Sequence, residues 1–171
     1  MPNHRVEAIA NEFLKLARAQ GASLTNMQLQ KLPYIAHGWS LALIGEPLIA
    51  DVPQAWQYGP VYPGLHRKLR RYGAGQVTDL IHENDDLPLP DKTGPVITTA
   101  LSQPERELLA AVWAGYSKYD AFQLSALTHV PDSPWSITTQ QDGPSAPIPN
   151  DLIKAHYLHL AKTQRVSPAP G

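Results

Sequence analysis

The stretch LTNMQLQKLPYIAHGWSLALIG, residues 24–45, decides the fold of this chain. Thr25 is followed three residues later by Gln28, and this pair predicts a capping box, in which each side chain hydrogen-bonds to the backbone amide of the other residue. Gly45 can adopt the left-handed conformation that ends a helix, and Pro47 prevents its continuation. These signals predict one long helix over about 25–44.

Apolar residues surround this predicted helix on nearly every side. Leu29, Leu32 and Trp39 recur at helical spacing on one face, while Tyr34 and Ile35 make the other faces apolar as well. A helix at the surface of a protein would have only one apolar stripe. The pattern therefore predicts a central helix that other elements enclose.

Other stretches have the periodicity or the capping residues of helices: 6–20, 60–73, 102–118, 120–128 and 150–162. Residues 129–149 are rich in Pro, Ser and Asp and indicate a linker, and a small β element is predicted near 48–58. We therefore expect a mainly α protein, with about six helices in a single compact domain built around the buried central helix. The domain should cover residues 1–163, with a disordered tail at 164–171.

The composition restricts the class of protein. The chain has 171 residues, with 14 Lys and Arg against 15 Asp and Glu, and this balance argues against a dedicated nucleic-acid-binding protein. It has no cysteine, which excludes thiolate zinc sites and a cysteine nucleophile. No apolar run approaches the ~18 residues that a membrane span requires. We therefore expect a soluble cytoplasmic protein with no membrane contact.

Catalytic motifs are absent from the sequence. It contains no G-x-S-x-G elbow, no phosphate-binding loop and no G-x-G-x-x-G fingerprint. His37 in the central helix could act as a base, and His129, His156 and His159 could bind a metal, but no H-E-x-x-H pattern accompanies them. We interpret these histidines as structural or surface residues, and we expect no metal, no cofactor and no enzymatic activity.

Two groups of residues are candidates for recognition. The helix predicted over 60–73 carries a basic face formed by Arg67, Lys68, Arg70 and Arg71. This face could be neutralised by the acidic segment 79–91, or it could bind a protein or a nucleic acid. The second group is Trp56 and Trp135, which lie in irregular segments and could be binding anchors, because tryptophan is enriched at interface hot spots.

Three linked motifs resemble those of a known family. They are LTNMQLQKLPYIAHGW at 24–39, AWQYGPVYP at 55–63 and LTHVPDSPW at 127–135. Their order and spacing are similar to those of the Panacea domain family, also described as SocA-like or GepA-like phage-associated proteins. The resemblance extends over about 6–157. It implies a mostly helical fold, in agreement with the periodicity.

The family's motif positions are matched residue by residue. The matches are Leu29, Lys31, Leu32, Tyr34, Ala36, Gly38 and Trp39 in the first motif, Ala55, Trp56, Tyr58, Gly59, Pro60 and Val61 in the second, and Leu124, Thr128, His129, Pro134 and Trp135 in the third. Pro33 departs from the pattern, which usually has an aliphatic residue there. We expect most of these residues to stabilise the fold, with Lys31 and Tyr58 as the polar positions that could contact a partner.

The resemblance also implies a function. Members of the family are commonly encoded beside small toxins, which they neutralise as antitoxins. The expected function is therefore that of a type II antitoxin, which binds a protein toxin encoded by a neighbouring gene. The alternative is a proteolytic adaptor that delivers the toxin to a ClpXP-type protease, as one member is described to do; a nucleic-acid-binding regulator and an uncharacterised enzyme are less favoured. Whether the chain forms a homo-oligomer is left open.

Overall fold

Seven α-helices dominate the part of the chain that the computed structural model describes, residues 3–87 and 94–163. They are α1 (Val6–Ala19), α2 (Asn26–Trp39), α3 (Pro63–Leu69), α4 (Gln103–Tyr116), α5 (Ala121–Thr128), α6 (Pro134–Asp142) and α7 (Asn150–Thr163). The prediction of a mainly α fold is confirmed. The predicted disordered tail, 164–171, and Asp91 of the acidic segment lie outside the described residues.

Helix α6 lies inside the stretch that the sequence indicated to be a linker, which is why the structure has seven helices rather than about six. Ser133 caps it, since the Ser133 side chain accepts a hydrogen bond from the Ser136 amide at 3.2 Å, and Pro134 occupies its first turn. The helix sequence PWSITTQQD has no regular apolar stripe. Hydrophobic periodicity therefore could not reveal it.

The central helix begins with the predicted capping box. The Gln28 amide donates to Thr25 Oγ1 at 3.3 Å, and the Thr25 amide donates to Gln28 Oε1 at 2.8 Å. The α-helix ends at Trp39, and the chain continues as a π-helical turn over Ser40–Ile44. Gly45 then ends the helical segment in the left-handed conformation, with φ of 87°. Residues 26–44 of the predicted span are therefore helical, with Thr25 as the cap, although the last five residues are wound more widely than an α-helix.

Other helices enclose α2, as its apolar circumference predicted. It packs against α1, α4, α5 and α7, and its side chains Leu29, Leu32 and Ile35 are buried. The motif residues Tyr34 and Trp39 are buried in the same core. None of the helices in the described part of the chain has the length and apolar character that a bilayer crossing needs.

His37 is a buried polar residue that connects α2 to two other segments. The Ile49 amide donates to His37 Nδ1 at 3.1 Å, so this nitrogen carries no proton. Nε2 therefore holds the proton and donates to Asn150 Oδ1 at 2.8 Å, at the start of α7. Burial lowers the pKa of His37, which stabilises this neutral form. These contacts agree with our interpretation of His37 as a structural histidine.

Two small antiparallel sheets complete the fold. Strand β1 (Leu24–Thr25) pairs with β4 (Gln76–Val77). Strand β2 (Gln54–Trp56) pairs with β3 (Gly59–Val61) in a hairpin whose last pair is Trp56 with Gly59. The β element predicted near 48–58 therefore exists, but it is displaced towards the second motif.

Gly38 is required by the close packing of α2 against α7. A Cβ atom at this position would overlap the ring of Tyr157. That ring also packs edge-on against Trp39, with centroids 5.1 Å apart. The absence of a side chain at Gly38 therefore lets the two helices approach.

We predict that Gly38→Ala lowers the free energy of unfolding by about 1–3 kcal/mol, because the buried ring must move to accept the methyl group. Urea-induced unfolding measures this change. Gly64→Ala on α3 is the matched control, since its Cβ would have no neighbour closer than 3.7 Å, and it should be neutral or slightly stabilising. Equal stability of Gly38→Ala and the wild type would contradict the packing described for Tyr157.

Candidate functional site

The three motifs meet at the β2–β3 hairpin, residues 54–61. One side chain from each of three helices donates a hydrogen bond to a hairpin carbonyl. The pairs are Lys31 Nζ with Pro60 O at 2.7 Å, Ser125 Oγ with Tyr58 O at 2.6 Å, and Trp135 Nε1 with Trp56 O at 2.6 Å. Helices α2, α5 and α6 therefore position the hairpin together.

Lys31 holds the hairpin from inside the protein. The side chain is fully buried, and burial lowers the pKa of its amine to about 7. Gly59, with φ of 109°, leaves room for it, since a Cβ there would lie 3.2 Å from Lys31 Nζ and 3.1 Å from Thr128 Oγ1. Lys31 has no exposed atoms to offer a partner. Its predicted role in partner contact is therefore corrected to that of a residue that positions the hairpin.

Aromatic side chains surround the hairpin. Tyr58 lies at its tip and is 59% exposed. Trp56 is half-buried, and its ring packs edge-on against His66 of α3, with centroids 5.1 Å apart. The half-buried ring of Trp135 packs in the same way against His129, at 5.2 Å. Tyr58 is thus the aromatic residue that the hairpin presents most openly to solvent.

Helix α5 has an exposed apolar face, which we call the α5 face. Its buried side carries Leu124, Ser125 and Thr128, which face α2 and the hairpin. The α5 face consists of Phe122, Ala126, Leu127 and, just after the helix, Val130. The candidate sites predicted from the sequence did not include this face. The signal for it was that α5 is apolar around most of its circumference, which a short helix with one buried side does not need.

The acidic segment neutralises part of the predicted basic face. Lys68 is buried, and its Nζ lies 3.0 Å from Asp86 Oδ1 and donates to the Glu83 carbonyl at 2.7 Å. Arg71 lies 3.3 Å from Asp85. The hydrogen bond from Lys68 lowers the pKa of Asp86. The two other residues of the face are exposed: Arg67 and Arg70. The four basic residues therefore do not form one basic surface, because Lys68 and Arg71 pair with acids while Arg67 and Arg70 are exposed.

The histidines that could have formed a metal site have other neighbours. His129 packs against Trp135, and His156 packs against Tyr157 with ring centroids 5.1 Å apart. Within residues 3–87 and 94–163, no three side chains of His, Asp or Glu are grouped so that they could hold a metal ion.

We predict that Lys31 makes the stability of the protein depend on pH. Its amine has a pKa of about 7 when folded and 10.5 as a free lysine, so between these values the unfolded chain binds more protons. The titration of Lys31 should therefore raise the free energy of unfolding by about 2 kcal/mol between pH 7 and pH 9.

Urea unfolding at pH 7, 8 and 9 tests this dependence. Lys31→Met should lose the rise, because methionine has no proton to release. Lys154→Met, which removes an exposed lysine on α7, should keep it. A Lys31→Met variant whose stability rises with pH as steeply as that of the wild type would contradict the proposed titration.

Comparisons with known proteins identify relatives of this chain. Residues 29–136, which include the motif residues that hold the hairpin, match the family described as antitoxin SocA-like, Panacea domain. The antitoxin SocA of Caulobacter vibrioides (strain NA1000 / CB15N) is 29% identical over 136 residues, which are 80% of this chain and 71% of the relative. No solved structure matches the chain.

Proposed function

We propose that this chain, which belongs to the family of SocA-like antitoxins with a Panacea domain, neutralises a protein toxin by binding it directly. Membership of an antitoxin family implies a toxin as partner in general. An antitoxin protein that neutralises a protein toxin by direct contact is of type II, and this is the class that we propose for the chain. We take the toxin to be the product of a neighbouring gene, and we expect the two proteins to meet in the cytoplasm, where both are made.

The observation that supports direct binding is the arrangement of polar groups around the hairpin. The amine of Lys31, the hydroxyl of Ser125 and the indole N–H of Trp135 all donate to backbone carbonyls of the hairpin. They hold a surface in place instead of converging on a cavity where a substrate could react. This arrangement favours a binding protein without enzymatic activity.

A rigid hairpin also suits tight binding. Side chains that are ordered before association lose little conformational entropy when a partner arrives. Aromatic residues such as Tyr58 and Trp56 are typical anchors at interfaces. The hairpin that carries them contacts α5 through the hydrogen bond from Ser125 to the Tyr58 carbonyl.

We predict that co-expression of this chain restores growth to cells that express the neighbouring gene product, and that the two proteins co-purify. Growth assays and affinity purification measure these outcomes, and light scattering of the complex gives its stoichiometry and shows whether the chain forms a homo-oligomer. The control is the same toxin gene with a premature stop codon. A neighbour that is harmless, or that is toxic but neither bound nor neutralised, would contradict the proposed function.

The adaptor alternative begins with the same contact and differs in the fate of the bound toxin. If the chain delivers the toxin to a ClpXP-type protease, rescue should disappear in a host that lacks ClpX, and the toxin should accumulate there. If the chain blocks the toxin by contact alone, rescue should persist in that host with toxin and antitoxin in a stable complex.

A further inference from the structure

The α5 face leaves a large apolar side chain in water. Phe122 is 88% exposed, and folding therefore removes little of its surface from solvent. Ala126, Leu127 and Val130 are exposed as well, Leu127 to 42% and Val130 to 38%. Single exposed apolar residues are common, but a contiguous group of them marks an interaction surface.

The α5 face is continuous with the tip of the hairpin. Ser125 Oγ donates to Tyr58 O, so the hairpin lies on the Ser125 side of α5. Successive residues of an α-helix are rotated by about 100°, which places Phe122 about 60° from Ser125 and Ala126 about 100° away in the same sense. Of the helical residues in the α5 face, Phe122 therefore lies nearest in angle to the side of α5 that contacts the hairpin.

The segment that comes after α5 is held firmly. His129 packs against the ring of Trp135, whose indole N–H is bonded to the Trp56 carbonyl. Asp132 has φ of 65°, in the left-handed region that Asp and Asn adopt more readily than other residues with a side chain, and the next residue, Ser133, caps α6. The segment between α5 and α6 is thus held at both of its ends.

Charge indicates what kind of partner fits this surface. The segment 119–153, which contains α5 and α6, has Asp120, Asp132, Asp142 and Asp151 but no Lys or Arg, although the whole chain is nearly neutral. Asp120 and Asp132 lie just before and just after α5 and are exposed. Lys118, which precedes the segment, lies near the ring of Tyr119. The α5 face therefore has an exposed acidic residue just before it and another just after it in the chain, and these are complementary to basic residues on a partner.

We propose that the α5 face, together with Tyr58, is the surface that binds the toxin, and that it receives a toxin segment with apolar residues at its centre and Lys or Arg at its ends. This proposal rests on the proposed function and adds the location and the chemistry of the contact. The apolar residues of the toxin cover Phe122, and its basic residues pair with Asp120 and Asp132.

Titration calorimetry of purified antitoxin variants with the purified product of the neighbouring gene tests the location. Phe122→Ala should raise Kd about 30-fold, the size of effect that truncation of a central anchor produces. Leu43→Ala is the matched control, because Leu43 is 62% exposed on the π-helical turn after α2, and it should change Kd less than threefold. Thermal unfolding should be the same for both variants, since both side chains are exposed.

Asp132→Asn tests the chemistry. Asparagine tolerates positive φ, so the substitution removes the charge and leaves the backbone in place. Kd should rise about threefold to tenfold at 50 mM NaCl, and the dependence of Kd on salt should become shallower, because one ion pair is lost. Asp79→Asn removes an exposed acid far from α5 in the sequence and should leave both quantities unchanged. An unchanged salt dependence in Asp132→Asn would overturn the basic character of the toxin segment.

The outcomes separate this proposal from the proposed function. Rescue and binding by the wild type, with equal Kd for the wild type and Phe122→Ala, would overturn the location and leave the antitoxin function intact. Failure of the wild type to bind or to rescue would overturn both. A dimer of the antitoxin alone that Phe122→Ala dissociates would assign the α5 face to self-association, and it would also overturn the proposal.

Discussion

The burial of helix α2 from Leu29 to Trp39 is the constraint on which the rest of the structure depends. A polar side chain on a helix enclosed by other elements cannot reach water, so it must find a partner inside the protein. Lys31 finds it in the Pro60 carbonyl, and His37 finds it in Ile49 and Asn150. Each of these polar groups thereby fixes the position of a segment that is distant in the sequence.

This constraint explains why the first motif, residues 24–39, contributes little to the exposed surface. Gln30 shows the same behaviour as Lys31, since its Oε1 accepts a hydrogen bond from the Tyr62 amide at 3.0 Å. The buried motif residues position the hairpin, and the surface that we propose for the toxin is formed by the exposed motif residue Tyr58 and by the α5 face. A mutation in a motif can therefore abolish binding by moving the hairpin, without removing any group that touches the partner.

Charge is distributed unevenly over the fold. The acidic residues Glu83, Asp85 and Asp86 lie against the basic residues Arg5, Lys68 and Arg71 and neutralise much of their charge. The segment 119–153 has four Asp and no Lys or Arg. A chain with almost no net charge can thus still present an acidic surface to a basic partner, because complementarity depends on local charge.

Local signals in the sequence were sufficient to locate most of the helices. Thr25 with Gln28 forms the predicted capping box, and Ser102 with Glu105 forms another at the start of α4, because such boxes depend only on residues three positions apart. The enclosure of α2 was also predictable, since a helix that is apolar on every side needs neighbours on every side. Helix α6 was not predictable in this way, because it begins at a cap but lacks an apolar stripe.

The candidate site depended on tertiary structure. Periodicity shows which residues share a face of a helix, but it cannot show which face meets a neighbour. The sequence by itself determined that Lys31 lies in an apolar helix and that α5 is apolar. Only the packing of the hairpin against α2 and α5 decided that Lys31 is buried and that Phe122 is exposed. The physical reason is that burial is a property of contacts between segments far apart in the chain.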